Sequence, residues 1–158
     1  MLPLDAAAGA GAWHAGFFYV RSHGVSAALR AAFDATRQYF QLPRSVLDRH
    51  ERDPRFRRGL QPIGATRHPG RAPDLKESYD VGVDLPLDHP TVAADLPLHG
   101  PNQWPEPAEA PGFREASEEY FDAASELGQR LLGLFALSLG MPRDFLTQHT
   151  TNPMVRAR

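Results

Sequence analysis

Cysteine is missing from all 158 residues, which removes disulfides, zinc–thiolate sites and thiol catalysis together. Lysine is almost missing too. Lys76 stands alone, close to Asp74 and Glu77, and reads as a surface ion pair rather than a catalytic amine. Long apolar runs are also lacking. The longest, Leu131 to Met141, falls far short of the roughly 20 residues that a membrane span requires. The N-terminal stretch MLPLDAAAGAGAWHAG has no basic leader and is interrupted by Asp5, so no signal peptide is expected. A soluble, cytoplasmic protein is the expectation. Charge of one sign is scarce as well: the formal net charge is -2, too small to attract nucleic acid or an anionic membrane. Arginines gather locally at Arg49, Arg52, Arg55, Arg57 and Arg58, but Asp48, Glu51 and Asp53 interleave with them. That mixture reads as a solvated helix end and loop.

What is present is ordinary globular material. Hydrophobic residues make up 42% and charged residues 23%, enough for one domain, residues 1–158, with a real core. Fifteen prolines, most of them between Pro43 and Pro111, predict an irregular middle with helices on either side. Ala6 to Ala15 reads as a short helix. Phe17 to Val20 is aromatic and β-branched, suited to a strand. Ser26 reads as a helix cap, and Leu29, Ala32, Phe33, Thr36 and Phe40 recur at helical spacing through to Phe40. A short helix is expected from Ser45 to about Glu51.

Leu75 to Val83 alternates, with Tyr79, Val81 and Val83 on one face and Lys76, Ser78 and Asp80 on the other. This predicts a strand with one wet side. The clearest element is a helix from Gly112 to Leu139. Its stripe runs through Phe113, Ala116, Tyr120, Ala124, Leu127, Leu131 and Leu134, with Gly140 and Pro142 as stop signals. At about 28 residues it would be roughly 42 Å long. A short helix from Pro142 to about Thr147 should follow, and Met154-Val155 reads as the start of a strand. The fold class is therefore mixed α and β, rich in helix.

Screens for chemistry come back nearly empty. A facial iron(II) site needs two imidazoles and a carboxylate, often with two ligands on one strand as His-x-Asp or His-x-Glu. None of the seven histidines has an acidic residue two positions on, and no His-Glu-x-x-His helix occurs, so no metal site is expected. There is no Gly-x-Ser-x-Gly elbow, P-loop or correctly placed dinucleotide fingerprint. One polar constellation remains. Lys76-Glu77-Ser78-Tyr79 and Asn102-Gln103-Trp104 mix donors, acceptors and aromatics as small-molecule pockets do. The competing reading packs Trp104 on the long helix and uses Asn102 and Gln103 to tie down loop backbone.

Four segments, taken in order, carry a resemblance: Gly16-Phe17-Phe18-Tyr19-Val20 running to His23-Gly24-Val25; Tyr39-Phe40-Gln41-Leu42-Pro43 with the arginine-rich loop to Pro62; Pro73 to Gly82; and Gly100-Pro101-Asn102-Gln103-Trp104-Pro105 followed by Pro111-Gly112-Phe113-Arg114. Together they resemble the N-terminal region of the isopenicillin-N-synthase-like dioxygenases, closest to the ethylene/succinate-forming-enzyme-like or pyrimidine-hydroxylase-like members. The resemblance implies the helix-rich N-terminal part of a double-stranded β-helix (jelly-roll) enzyme, with the long helix as its support. It implies oxidation of a small molecule using iron(II) and 2-oxoglutarate, and it places Glu77, Tyr79, Asn102 and Trp104 toward the substrate side. The residues that would bind iron and 2-oxoglutarate are expected beyond Arg158, so this chain by itself is expected to be inactive. A C-terminal β-helix half is expected to cover the 112–139 helix. A non-catalytic binding or assembly module, or an inert gene remnant of the same family, is the alternative.

Overall fold

The computed structural model describes residues 16–150 and 153–158; the helix expected over Ala6–Ala15 lies outside them. Among these described residues, four helices and three short strands form in chain order: α1 (Ser26–Tyr39), α2 (Arg44–Leu47), β1 (Gly59–Gln61), β2 (Ser78–Gly82), α3 (Pro90–Ala93), α4 (Phe113–Ser138) and β3 (Arg156–Ala157). One turn of 3-10 helix follows α2 at Asp48–His50, and another, Thr147–His149, precedes β3. The sheet runs β1-β2-β3, antiparallel at both junctions, with Leu60 opposite Tyr79 and Val81 opposite Ala157. No helix of the described residues is long and apolar enough to cross a membrane.

Aromatic contact locks the helices to the sheet. Tyr39 at the end of α1 stacks on Phe113 at the start of α4, 4.5 Å between ring centroids. Tyr79 of β2 meets both edge-on, at 5.0 and 4.9 Å. Leu47 and Leu60 complete this buried cluster. Each aromatic pair adds roughly 0.5–1.5 kcal/mol to what area burial supplies. Three elements distant in sequence therefore converge on one point.

The long helix is built as its sequence requires. Gly112 takes the left-handed conformation at its N-terminus, with φ 74°, and Phe113 is buried immediately after. At the other end the Met141 amide donates to the Ala136 carbonyl at 2.9 Å and the Gly140 amide to Leu137 at 3.0 Å. That is the Schellman closure, which needs the left-handed Gly140, at φ 71°. The helix has 26 residues, about 39 Å.

Several expectations are corrected. Phe17 to Val20 forms no strand, because no neighbouring strand pairs with it among the described residues; Phe18 instead leans edge-on against Phe135 at 5.6 Å. The α1 cap is not the Ser26 hydroxyl: the helix follows Val25, whose amide donates to His23 Nδ1 at 3.2 Å. From Pro142 the chain turns and makes only the 3-10 turn at Thr147–His149, and the last strand forms at Arg156 rather than Met154. β2 has no wet side. Asp80 is fully buried, because arginines surround it. Arg58 is not solvated either; it is 1% exposed.

Arg58 lies across the backbone of Gly82, where an added Cβ would collide with the guanidinium. Gly82→Ala should therefore lower stability by about 1–3 kcal/mol, measured by urea denaturation. A loss under about 0.5 kcal/mol would show that the guanidinium moves aside freely.

Candidate functional site

Between α1, α4 and the sheet runs a trough made of two joined grooves. The first, about 440 Å³, lies between α1 and α4 over β2. Leu29, Phe33, Phe40 and Val81 form its apolar wall, with Glu77, Ser78 and Tyr79 along one side. The second, about 530 Å³, follows α4 through Phe121, Leu132 and Phe135 to Val155 and Arg156. Both fall within the size range of small-molecule pockets. They meet at Tyr120, Ala157 and Arg158. Helical spacing explains the walls: Phe121, Ala124, Gly128, Leu132 and Phe135 recur at three and four residues along one face. Of α4's 26 residues, only Phe113, Ser117, Gly133 and Ala136 are buried. Phe33 of α1 is 62% exposed. Leu29 and Phe33 of α1 thus stand open to water, and the apolar stripe of α4 is only partly buried.

The predicted pocket residues separate into two groups. Glu77, immediately before β2, faces the first groove and accepts a hydrogen bond from Arg44 at 2.9 Å. Tyr79 offers its ring to the same groove, while its hydroxyl donates to the Gln103 carbonyl. Burial pushes that phenol's pKa far up, with the nearby Tyr39 adding to the effect, so it stays neutral. Asn102 and Trp104 line neither groove. The Asn102 side chain pairs with Gly82 in both directions, accepting from its amide at 2.9 Å and donating to its carbonyl at 2.8 Å. Trp104 stacks near Tyr79, and the Arg114 guanidinium sits 5.7 Å over its ring. These two residues hold the wall from behind. Lys76 pairs with Asp74 at 2.7 Å, as its sequence neighbours suggest.

Charge concentrates where the grooves meet. Arg158 grips the buried Asp80 carboxylate through Nε and Nη2, at 2.8 and 3.1 Å. Arg52 approaches the same carboxylate at 3.6 Å and Arg156 at 3.8 Å. Hydrogen bonding to Asp80 raises the pKa of Arg158. These residues escaped the sequence reading, although a signal existed. Arginines two apart on a strand share a face, and an acid between Tyr79 and Val81 marks either a wet face or a buried pair. Also buried yet unpartnered are the hydroxyls of Ser78 and Ser125, one in each groove wall.

A second polar network lies behind the aromatic core. His50 is 3.2 Å from the Tyr39 hydroxyl through Nδ1 and 2.9 Å from Glu109 through Nε2. Arg49 binds the other Glu109 oxygen. Iron(II) finds no comparable set. Among the described residues no three His, Asp or Glu side chains converge to hold a metal ion. His23 and His89 instead accept backbone amides, from Val25 and Thr91. The donors present here do not fit an iron site.

The sequence profile described as non-haem dioxygenase in morphine synthesis N-terminal matches residues 9–107. The 2-oxoglutarate-dependent dioxygenase caaD of Aspergillus niger is 36% identical over 142 residues, covering 87% of this chain and 42% of the relative. The 2-oxoglutarate-dependent dioxygenase citB of Monascus ruber is 39% identical over 128 residues, covering 78% and 38%. Among solved structures, a putative 2OG-Fe(II) oxygenase family protein from Caulobacter crescentus superposes with a TM-score of 0.64 at 29% identity. It covers 77% of this chain and 38% of that protein. The chain thus spans about two fifths of the length of the curated relatives it matches.

The Arg49 and His50 hydrogen bonds hold the Glu109 pKa below the usual carboxylate value. A depressed folded-state value adds stability above the ordinary glutamate pKa of about 4.3, and that stability is lost as pH falls through the folded value. Denaturation midpoints at pH 7, 5, 4 and 3 should therefore drop more steeply toward acid for the wild type than for Glu109→Gln. Parallel profiles would refute the assignment.

Proposed function

The chain belongs to the non-haem dioxygenase N-terminal family, and on that premise we propose that it is the N-terminal part of an iron(II)/2-oxoglutarate-dependent dioxygenase that oxidises a small molecule. The observation carrying this reading is a division of labour. The chain supplies an open apolar trough along α4, but no described set of side chains that could hold iron. Iron(II), when bound, supplies oxygen activation; its two imidazoles and carboxylate belong to sequence outside these 158 residues. So does an arginine that would hold the 2-oxoglutarate carboxylate by bidentate, charge-assisted hydrogen bonds.

Within this reading the chain has two tasks. The rigid α4 and the sheet form a platform on which the β-helix region sits, and that region covers the exposed face of the 112–139 helix. Glu77 and Tyr79 face the substrate side, Glu77 as an orienting acceptor and Tyr79 as an apolar ring surface. Asn102 and Trp104 support them, one by fixing the end of β2 and the other by packing behind Tyr79. The setting is cytoplasmic, where a chain without cysteine needs no oxidising compartment. By itself the 158-residue chain is inactive.

The test is direct. The purified chain is mixed anaerobically with iron(II) and 2-oxoglutarate and examined for the visible charge-transfer absorption of the chelated cosubstrate. Oxygen is then admitted and succinate is measured. Neither absorption nor succinate above the protein-free control is expected. Catalytic succinate release would mean that the chain carries its own iron ligands, and the proposed division would fall.

A further inference from the structure

Beneath the junction of the two grooves, guanidinium groups crowd one buried carboxylate. Arg52, Arg156 and Arg158 all approach one carboxylate, that of Asp80. Arg58 is near enough to Arg156 that repulsion between them adds to the effect of burial in lowering its pKa. Asp84, which also acts on Arg58, is exposed and accepts from the Asn102 amide at 2.8 Å. Three guanidinium groups thus share the Asp80 carboxylate, and the fourth, Arg58, bonds to no acid. Arg58 displays the shortage: it donates to the carbonyls of Phe56 and Leu98 rather than to an acid, and its Nε finds no acceptor.

Arg156 is the member positioned to gain a partner. It reaches Asp80 only at 3.8 Å, its side chain is 36% exposed, and it lines the groove beside Val155 and Leu132. In water that loose pairing costs little, because solvent screens the charge. Covering the groove removes the water. An apolar surface laid over Arg156 would strand a desolvated cation, while a carboxylate placed there would satisfy it.

We infer that the polypeptide face closing over the second groove, along α4, is apolar with one acidic side chain opposite Arg156, so that a single ion pair sets its register. This rests on the reading of the trough as a docking face. A polypeptide is the occupant because the curated relatives are more than twice as long as their matched portions, and because β3, at the trough's edge, is paired on one side only among the described residues.

The experiment measures binding of decanoate, decanol and decyltrimethylammonium to the 158-residue chain by calorimetry, each below its micellar concentration. Decanoate should bind roughly five- to tenfold tighter than the other two. Arg156→Gln should erase that advantage while leaving decanol within about twofold, and Arg156→Lys should retain most of it. Equal binding of all three probes would overturn the inference but leave the apolar docking face intact. If none binds, the docking face itself is lost and the inference with it. Decanoate binding tighter than about 1 μM would make the trough a site for a small amphipathic acid, and the polypeptide occupant would be wrong.

Discussion

A buried carboxylate is the constraint from which the rest of this arrangement follows. Asp80 sits in the central strand, fully enclosed, and an isolated charge there would be prohibitively costly. Its three partners come from two places: Arg52 in the segment leading to β1, and Arg156 and Arg158 in and just after β3. The β1–β2 and β2–β3 ladders have only three and two register pairs, too few to hold a sheet by backbone bonds alone. Electrostatics does what length does not. Removing these partners would leave an uncompensated buried charge, so Asp80 binds the sheet edges to its centre.

On the other face of β2 the logic is apolar. Tyr79 joins the Tyr39–Phe113 stack and thereby fixes the start of α4 against the end of α1. Beyond that anchor α4 packs along α1, and its later turns also meet Phe18, His23 and Thr150. Phe113 and Ser117 are buried near its N-terminus, while most of the following apolar stripe is only partly buried. A helix can be long and straight without being covered, but in water an open stripe of this size favours association. The substrate-side candidate Glu77 lies close to that anchor, one residue from β2 and tied to Arg44.

Local order was legible in the sequence where one residue type dictates it. The α4 boundaries follow from Gly112, Gly140 and Pro142, and the α1 periodicity is plain. Tertiary choices were not. Leu29 and Phe33 lie on the apolar face of α1 that their spacing predicts, yet they line an open groove; periodicity identifies a face but not what meets it. Asp80 and Arg58 read as solvated because charges usually are. Only the fold reveals that β1, β3 and the loop at Leu98 approach them. Of the candidate site, Glu77 and Tyr79 share the groove, whereas Asn102 and Trp104 took the scaffolding role that their turn-rich surroundings also allowed.

The two outer edges of the sheet differ. Beside β1, the chain at Glu51 and Arg52 lies parallel to Leu60, and the Arg52 amide donates to the Leu60 carbonyl at 2.8 Å. β3 is paired only with β2 among the described residues. The sheet therefore has a polarity of growth: a capped side and a receptive one. An added strand would extend it past Arg156 rather than past Leu60, and an exposed edge of this kind is also where unwanted pairing begins. Whatever arrives at β3 first determines whether the sheet continues as architecture or as aggregate.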